Sequence, residues 1–347
     1  MMIETVCGPI PADQLGVIAP HEHFFIDTTF EAQAPNTPEE LELFNSPVSI
    51  QNIDVLRRNP FLVKDNMVLD DLETIVYEVN RFKKAGGDTI VDLTNIGIKR
   101  DLAKIREVSR RTGVNVIAGS GLYTGLTIPE PYRSMSAEDL AREMIQEIKF
   151  GDPQTGIKPG VIGEIGTSEV VDEIERKGLL SAAWANLETG LPSYIHTYPW
   201  SRASLDAIEI LTKEGVLPEQ ICICHLDVEF DYDYLCQVFD TGVYGMFDNF
   251  GKEYYFAKTD AVFSGGPFET DLDRVRMIIR MIAQGHTDRL MLATDVCLKA
   301  LLHSYGGWSY DHIFTNITVM MEGEGISKED IHTILMKNPT NFICSRR

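Results

Sequence analysis

The sequence predicts an α/β fold, a closed (β/α)8 barrel (TIM barrel), and three observations predict it. Eight short apolar runs alternate with longer amphipathic segments along the 347 residues. Such alternation implies parallel strands joined by right-handed crossovers. No glycine-rich phosphate loop follows the first run, as a doubly wound open sheet would favour, and the chain exceeds the ~250 residues of a typical barrel, leaving room for insertions.

The first strand lies within residues 17–27, Val-Ile-Ala-Pro-His-Glu-His-Phe-Phe-Ile-Asp. Side chains two apart share a strand face, so His21 and His23 point together and Glu22 points the other way. Residues 28–70, with prolines at 35, 38, 47 and 60, are too long for a simple βα loop. They are expected to carry short helices or to cover the site. Leu72, Ile75, Val76, Val79 and Phe82 then recur at helical spacing over residues 70–85. Gly86-Gly87 stops that helix before a strand at 89–94. A helix over 100–112, capped by Gly113, leads to a strand at 114–119, and a helix over 136–150 leads to a strand at 160–166. The same pattern gives a helix over 171–189 and a strand at 192–196, then a helix over 201–214 and a strand at 221–226. Helices over 231–240 and 271–284 precede strands at 242–248 and 289–295, and helices over 310–322 and 327–335 close the chain. The absence of a linker or low-complexity tract makes residues 1–347 one expected domain, with an insertion at about 28–70.

With 44% hydrophobic and 24% charged residues the chain reads as a globular, soluble protein. It lacks the ~18 uninterrupted apolar residues of a membrane span and the basic-then-apolar start of a secretory signal. A net charge of −21 argues against nucleic acid as a partner. The six cysteines form no C-x-x-C framework, which fits a reducing cytoplasm. Cys222 and Cys224 read as small buried residues facing away from His225 rather than as a thiolate site. The expected partner is a small-molecule substrate, with neither nucleic acid nor membrane involved.

The metal-competent side chains fall where a barrel would gather them. His21 and His23 lie on the first strand, Glu164 in the fourth, His196 at the end of the fifth, His225 near the end of the sixth and Asp295 at the end of the eighth. The C-terminal ends of barrel strands share one mouth. Six such groups suffice for two divalent ions with a bridging carboxylate. Singly, His196 and His225 read rather as core histidines donating to a backbone carbonyl. Glu164 and Asp295 are harder to dismiss, because a carboxylate in an apolar strand is almost never buried unpaired. Imidazole and carboxylate donors suit Zn2+, Mn2+, Co2+ and Ni2+ alike, with zinc the first expectation.

These motifs resemble the phosphotriesterase family of the amidohydrolase superfamily. The match runs from Cys7-Gly8 and Leu15-Gly16 to His21-Glu22-His23, then through Gly160-Val161-Ile162-Gly163-Glu164-Ile165-Gly166-Thr167-Ser168-Glu169. It continues with Ile195-His196-Thr197, Cys224-His225-Leu226-Asp227, Phe247-Asp248 with Gly251-Lys252, Ala293-Thr294-Asp295 and Gly306-Gly307-Trp308-Ser309-Tyr310-Asp311-His312. The resemblance implies a binuclear metal barrel in which His21, His23 and Asp295 hold the more buried ion and His196 and His225 the more exposed one. Many members bridge the ions with a carbamylated lysine on strand four. Here that strand has no lysine, and Glu164 occupies the bridging region, as in the branch called phosphotriesterase homology proteins. The resemblance also suggests a homodimer.

The expected chemistry is hydrolysis. Two divalent ions would acidify a shared water and polarise a carbonyl or phosphoryl oxygen, with Asp295 relaying the proton to the leaving group. The expected substrate is a small ester, foremost a lactone. Phosphotriester hydrolysis is the enzymatic alternative, and a catalytically silent barrel that binds metal or a metabolite is the alternative of another class. Substrate contacts are expected from Lys252 and Tyr254 after strand seven and from Lys299, Trp308 and Tyr310 after strand eight, with the insertion and Phe263-Ser264-Gly265-Gly266-Pro267 shaping the pocket. Cys297-Leu298-Lys299 stands where glutamate-bridged relatives often carry arginines, a departure from the phosphorylated-sugar lactonase pattern.

Overall fold

Strand alternation decides which side chains meet the helices and which fill the centre. The structure, a computed structural model, describes residues 1–256 and 266–345. Its main sheet has eight strands: β1 (Ile18–Glu22), β2 (Thr89–Asp92), β3 (Asn115–Ser120), β4 (Val161–Ile165), β5 (Ser193–Ile195), β6 (Ile221–Ile223), β7 (Tyr244–Phe247) and β8 (Leu290–Leu292). Each is hydrogen-bonded to the next in sequence, and every pair is parallel. In β6, Ile221 and Ile223 pack outward with the helix layer, whereas Cys222 and the following Cys224 fill the barrel interior beside Tyr194, Met246 and Met291. The two cysteines are buried packing residues, as their spacing predicts.

Closure falls between β1 and β8. The Asp295 N–H donates to the His21 carbonyl at 3.2 Å. Glu22, turned away from the histidines, accepts from the Thr294 N–H (3.1 Å), the Thr294 hydroxyl (2.6 Å) and the Val296 N–H (2.8 Å). The result is the predicted (β/α)8 barrel.

Helices α1 (Leu72–Lys84), α2 (Leu102–Thr112), α3 (Ala137–Phe150), α4 (Glu173–Thr189), α5 (Ala203–Lys213), α6 (Tyr232–Asp240) and α7 (Asp271–Gln284) surround the sheet. Six of the seven begin at a side-chain cap: Asp71, Asp101, Ser136, Asp172, Asp231 and Thr270. None of them is long and apolar enough to cross a membrane.

The last helix departs from its predicted end at residue 335. Lys328–His332 passes through a π-helical turn, Thr333–Lys337, into Asn338–Ile343. Pro339 lacks an N–H to donate, and the wider turn ahead of it lets the helix continue.

The insertion after β1 carries short helices at Pro38–Phe44 and Ile53–Leu56 and 3-10 turns at Thr29–Glu31, Pro60–Leu62 and Lys64–Met67. Its ends are pinned by antiparallel pairing of Ile26–Asp27 with Val68–Leu69. Residues 263–265 of the predicted pocket-shaping stretch lie outside the described residues, while Gly266–Pro267 pairs with Tyr255–Phe256.

Candidate metal centre

Two β-bulges turn the site inward. The β1–β2 register shifts between Ala19 and Glu22, and the β4–β5 register shifts between Ile162 and Ile165. Ile162 and Ile165 both pack outward, so the extra residue between them lets Glu164 face the interior. Gly163 permits this: its φ is +115°, and a Cβ there would collide with the Tyr194 carbonyl of β5. His225 follows the inward-facing Cys224, and strict alternation would send it outward. A backbone φ of +61° returns its imidazole to the mouth, and Asp295 takes a similar left-handed φ of +43°. Such non-glycine conformations persist where surrounding contacts over-determine them.

The structure brings all six sequence-predicted ligands together at the C-terminal rim. His23 Nε2 lies 3.1 Å and His21 Nε2 3.6 Å from Asp295 Oδ1. Glu164 sits between two groups: Oε2 is 3.6 Å from His21 Nε2, while Oε1 is 2.9 Å from His225 Nε2 and 3.3 Å from His196 Nδ1. His225 Nε2 and His196 Nδ1 face each other at 2.9 Å. The ligand atoms of His21, His23 and Asp295 form one cluster within 4.8 Å, and those of Glu164, His196 and His225 form another.

An outer layer of hydrogen bonds fixes the rings. Asp248, at the end of β7, bonds His21 Nδ1 through Oδ2 (2.9 Å) and His225 Nδ1 through Oδ1 (2.8 Å). One carboxylate therefore holds two imidazoles with their Nε2 atoms aimed inward. Thr94 Oγ1 does the same for His23 Nδ1 at 2.9 Å. Asp248 appears in the sequence only as a motif neighbour, and nothing in its spacing points to this dual role. Lys252 Nζ bonds Asp295 Oδ2 and lies 3.2 Å from Asn249 Oδ1.

The electrostatics follow from these pairs. Burial alone would raise the Asp248 carboxyl, but His225 and His21 bring it down to about 2. Burial pulls His225 down, yet Asp248 and Glu164 raise it to about 10. Against the same burial penalty, His21 and His196 hold Glu164 well below the usual carboxylate range, and Lys252 with His21 and His23 depresses Asp295.

These residues fit divalent cations. His21 Nε2 and Glu164 Oε1 are buried without a hydrogen bond, in the middle of the cluster. Buried polar atoms are otherwise almost always satisfied. Two imidazole nitrogens aimed at each other and at a carboxylate oxygen form a donor set suited to a shared cation. Cys224 lies below, within reach of His21 and Glu164, and burial pushes its thiol well above its ordinary value.

The cluster opens into a cleft with about 200 Å³ of free space. Lys252 and Tyr254 line it, as do Tyr123 and Glu31, which the sequence reading did not single out. Tyr123 follows β3, and its hydroxyl is 3.2 Å from His196 Nδ1. Three predicted substrate contacts lie elsewhere. Lys299 Nζ pairs with Asp65 at 2.6 Å, the Tyr310 hydroxyl donates to the His23 carbonyl at 2.8 Å from within the core, and Trp308 is exposed and stacked on His312. Cys297 and Leu298 still line the cleft, but from Lys299 on the chain packs against the insertion, and sequence distance from Asp295 cannot reveal that direction.

A barrel with such a rim defines a class, the metal-site hydrolases, and comparison narrows it. The profile of the phosphotriesterase family matches residues 1–343. The chain is 35% identical over 347 residues to an N-acetyltaurine hydrolase of Xenopus tropicalis, covering 98% of this chain and 97% of that protein. A resiniferatoxin-binding protein from Rhodobacter sphaeroides superposes with a TM-score of 0.95 at 33% identity, over 100% of this chain and 96% of that one. The phosphotriesterase homology protein of Escherichia coli, solved with phosphate in its active site, superposes with a TM-score of 0.78 at 28% identity, over 95% and 99% of the two chains. The chain belongs to the phosphotriesterase family and is a hydrolase.

Proposed function

We propose that this protein is a two-metal hydrolase that cleaves a carboxylic acyl bond, foremost a small ester or lactone. The observation that carries the reading is the gathering of His21, His23, Glu164, His196, His225 and Asp295 into two adjoining ligand clusters at one rim. His21, His23 and Asp295 would hold one ion and His196 and His225 the other, with Glu164 between them; zinc is the first choice by donor type. Bound there, the ions supply an acidified water and an electrophile for the carbonyl oxygen.

The chain's own residues do the rest. Asp295 takes the proton of the attacking water and passes it to the leaving group. Lys252, bonded to Asp295 Oδ2, keeps that carboxylate ionised and oriented. Asp248 fixes the tautomers of His21 and His225. Phe30, Phe61, Trp200, Phe256 and Phe268 supply apolar walls that hold the substrate and exclude bulk water.

Cleavage of an N-acyl amide is a second reading, favoured by the near full-length similarity to an N-acetyltaurine hydrolase. Against a sulfonate-bearing substrate, no arginine occurs among the described lining residues, and Lys252 is already paired with Asp295. The test is a zinc-loaded enzyme assayed against lactones, carboxylic esters, N-acetyltaurine and other N-acyl amines, and phosphotriesters. Turnover led by esters or lactones supports the reading, leadership by N-acyl amines favours the second, and turnover of phosphotriesters alone would overturn both.

A further inference from the structure

Among the described residues, the Glu31 carboxylate lines an aromatic cleft without a binding partner. It ends the 3-10 turn Thr29–Glu31 and lines the cleft half-buried. The turn is held firmly. The Thr29 N–H and hydroxyl donate to Asp27 Oδ1 at 2.9 and 2.6 Å, Lys99 pairs with that aspartate, and the Thr28 N–H donates to the Met67 carbonyl at 2.9 Å. Phe30 packs edge-on against Tyr123, with ring centroids 6.2 Å apart. Among the described residues, no hydrogen bond or ion pair engages the Glu31 carboxylate.

A half-buried acid without a partner at hand is held less favourably than one in open water. A rigid turn that maintains this arrangement is best explained by a partner that arrives with the substrate.

We propose that the cleft selects substrates carrying an alkylammonium group, and that Glu31 is the residue that recognises it. The inference rests on the acyl-hydrolase reading, which puts the scissile carbonyl at the histidine cluster, and adds the chemistry of the remainder of the substrate. Trp200, Phe256 and Phe268 form an edge-to-face group, with Trp200 5.7 Å from Phe256 and 5.5 Å from Phe268, and Tyr254 joins it 5.6 Å from Phe268. These rings line the same cleft as the Glu31 carboxylate, and aromatic rings together with a carboxylate are the surroundings that bind a quaternary or alkylated ammonium. Lys252 does not cancel Glu31, because its charge is taken up by Asp295 in direct contact. The net charge of −21 steers cations toward the protein and anions away from it.

Acetylcholine and 3,3-dimethylbutyl acetate differ in charge but hardly in shape, and their kcat/KM ratio on the zinc-loaded enzyme reads the site. The expected ratio favours the ammonium ester by ~10-fold or more, the scale of one cation–π and charge pairing, and Glu31→Gln brings it close to unity. A wild-type ratio near unity, or a ratio that Glu31→Gln leaves intact, overturns the proposal. Calorimetric titration with choline and with 3,3-dimethylbutanol separates the two layers of the argument. Tighter binding of choline, lost in Glu31→Gln, upholds the ammonium site even if neither ester is turned over and the acyl-hydrolase reading fails. Equal binding of the two alcohols overturns it.

Discussion

Lys252 bonds Asp295 through Oδ2, while Asp295 Oδ1 faces His23 Nε2 at 3.1 Å. The carboxylate is thus shared between the buried Lys252 ammonium on one side and the candidate metal-ligand cluster on the other. The lysine, expected from its position to meet substrate, lies against the residue proposed to relay the proton while still lining the cleft. Asp295 in turn raises the Lys252 ammonium above its ordinary value despite burial, so the pair is ionised throughout the working range.

Lys252→Met removes the cation and keeps the bulk. Asp295 then loses the first of the groups that depress it, and a higher pH is needed to ionise it. The acid limb of the kcat pH profile is expected to move upward, with kcat falling by ~10²-fold, the scale of losing one positioned electrostatic group. Asp295→Asn should abolish turnover while retaining most of the metal. A fully active Asp295→Asn enzyme would contradict the relay role.

Asp248→Asn keeps the size but cannot accept from two ring N–H groups at once. Metal affinity is expected to fall by ~10- to 100-fold, as for other outer-layer ligands of metal-bound histidine. Competition titration with a chelating dye reads this directly.

Arg274 on α7 is fully buried and donates to Asp227 at 2.7 Å, and Asp227 also accepts from the Asn249 N–H and side-chain amide. Arg274→Ala leaves Asp227 as an uncompensated charge beneath the loop that carries Lys252. The expected loss is ~3–5 kcal/mol in denaturant unfolding. Arg274→Met with Asp227→Asn should recover part of it, because the stranded charge is gone.

Asp271, the first residue of α7, bonds His312 Nε2 at 2.7 Å and accepts from the Gly251 N–H at 2.8 Å. Burial works against its ionised form, but these partners hold its carboxyl below the usual 3.8. A depressed carboxyl contributes stability that is fully present above its unfolded value, here about pH 4, and lost as pH falls through the lower folded value. Unfolding midpoints should therefore drop more steeply below pH ~4 in the wild type than in Asp271→Asn. Equal slopes would contradict the assignment.

Much of this molecule was legible in one dimension because the barrel repeats a local rule. Eight apolar runs, their helical partners and the stops at Gly86-Gly87, Gly113 and Gly190 follow from local periodicity and turn chemistry. The six rim residues were legible because a barrel gathers all its strand ends. What alternation could not express is where it breaks. Glu164 faces inward through a bulge, and His225 through a left-handed residue. Nor can spacing reveal pairs such as Asp248 with His21, 227 positions apart, or the path of the chain after β8, which carries Lys299, Trp308 and Tyr310 away from the cleft. Glu31 escaped notice because its meaning comes from aromatic neighbours contributed by distant segments.

Metal stoichiometry tests the central claim most directly. Protein loaded with excess Zn2+ and freed of unbound metal by gel filtration should carry about two ions per chain, and folded Glu164→Ala about one or fewer, as expected when a shared ligand is lost. Wild-type protein that emerges without metal, or a Glu164→Ala variant that holds as much as the wild type, would contradict the account.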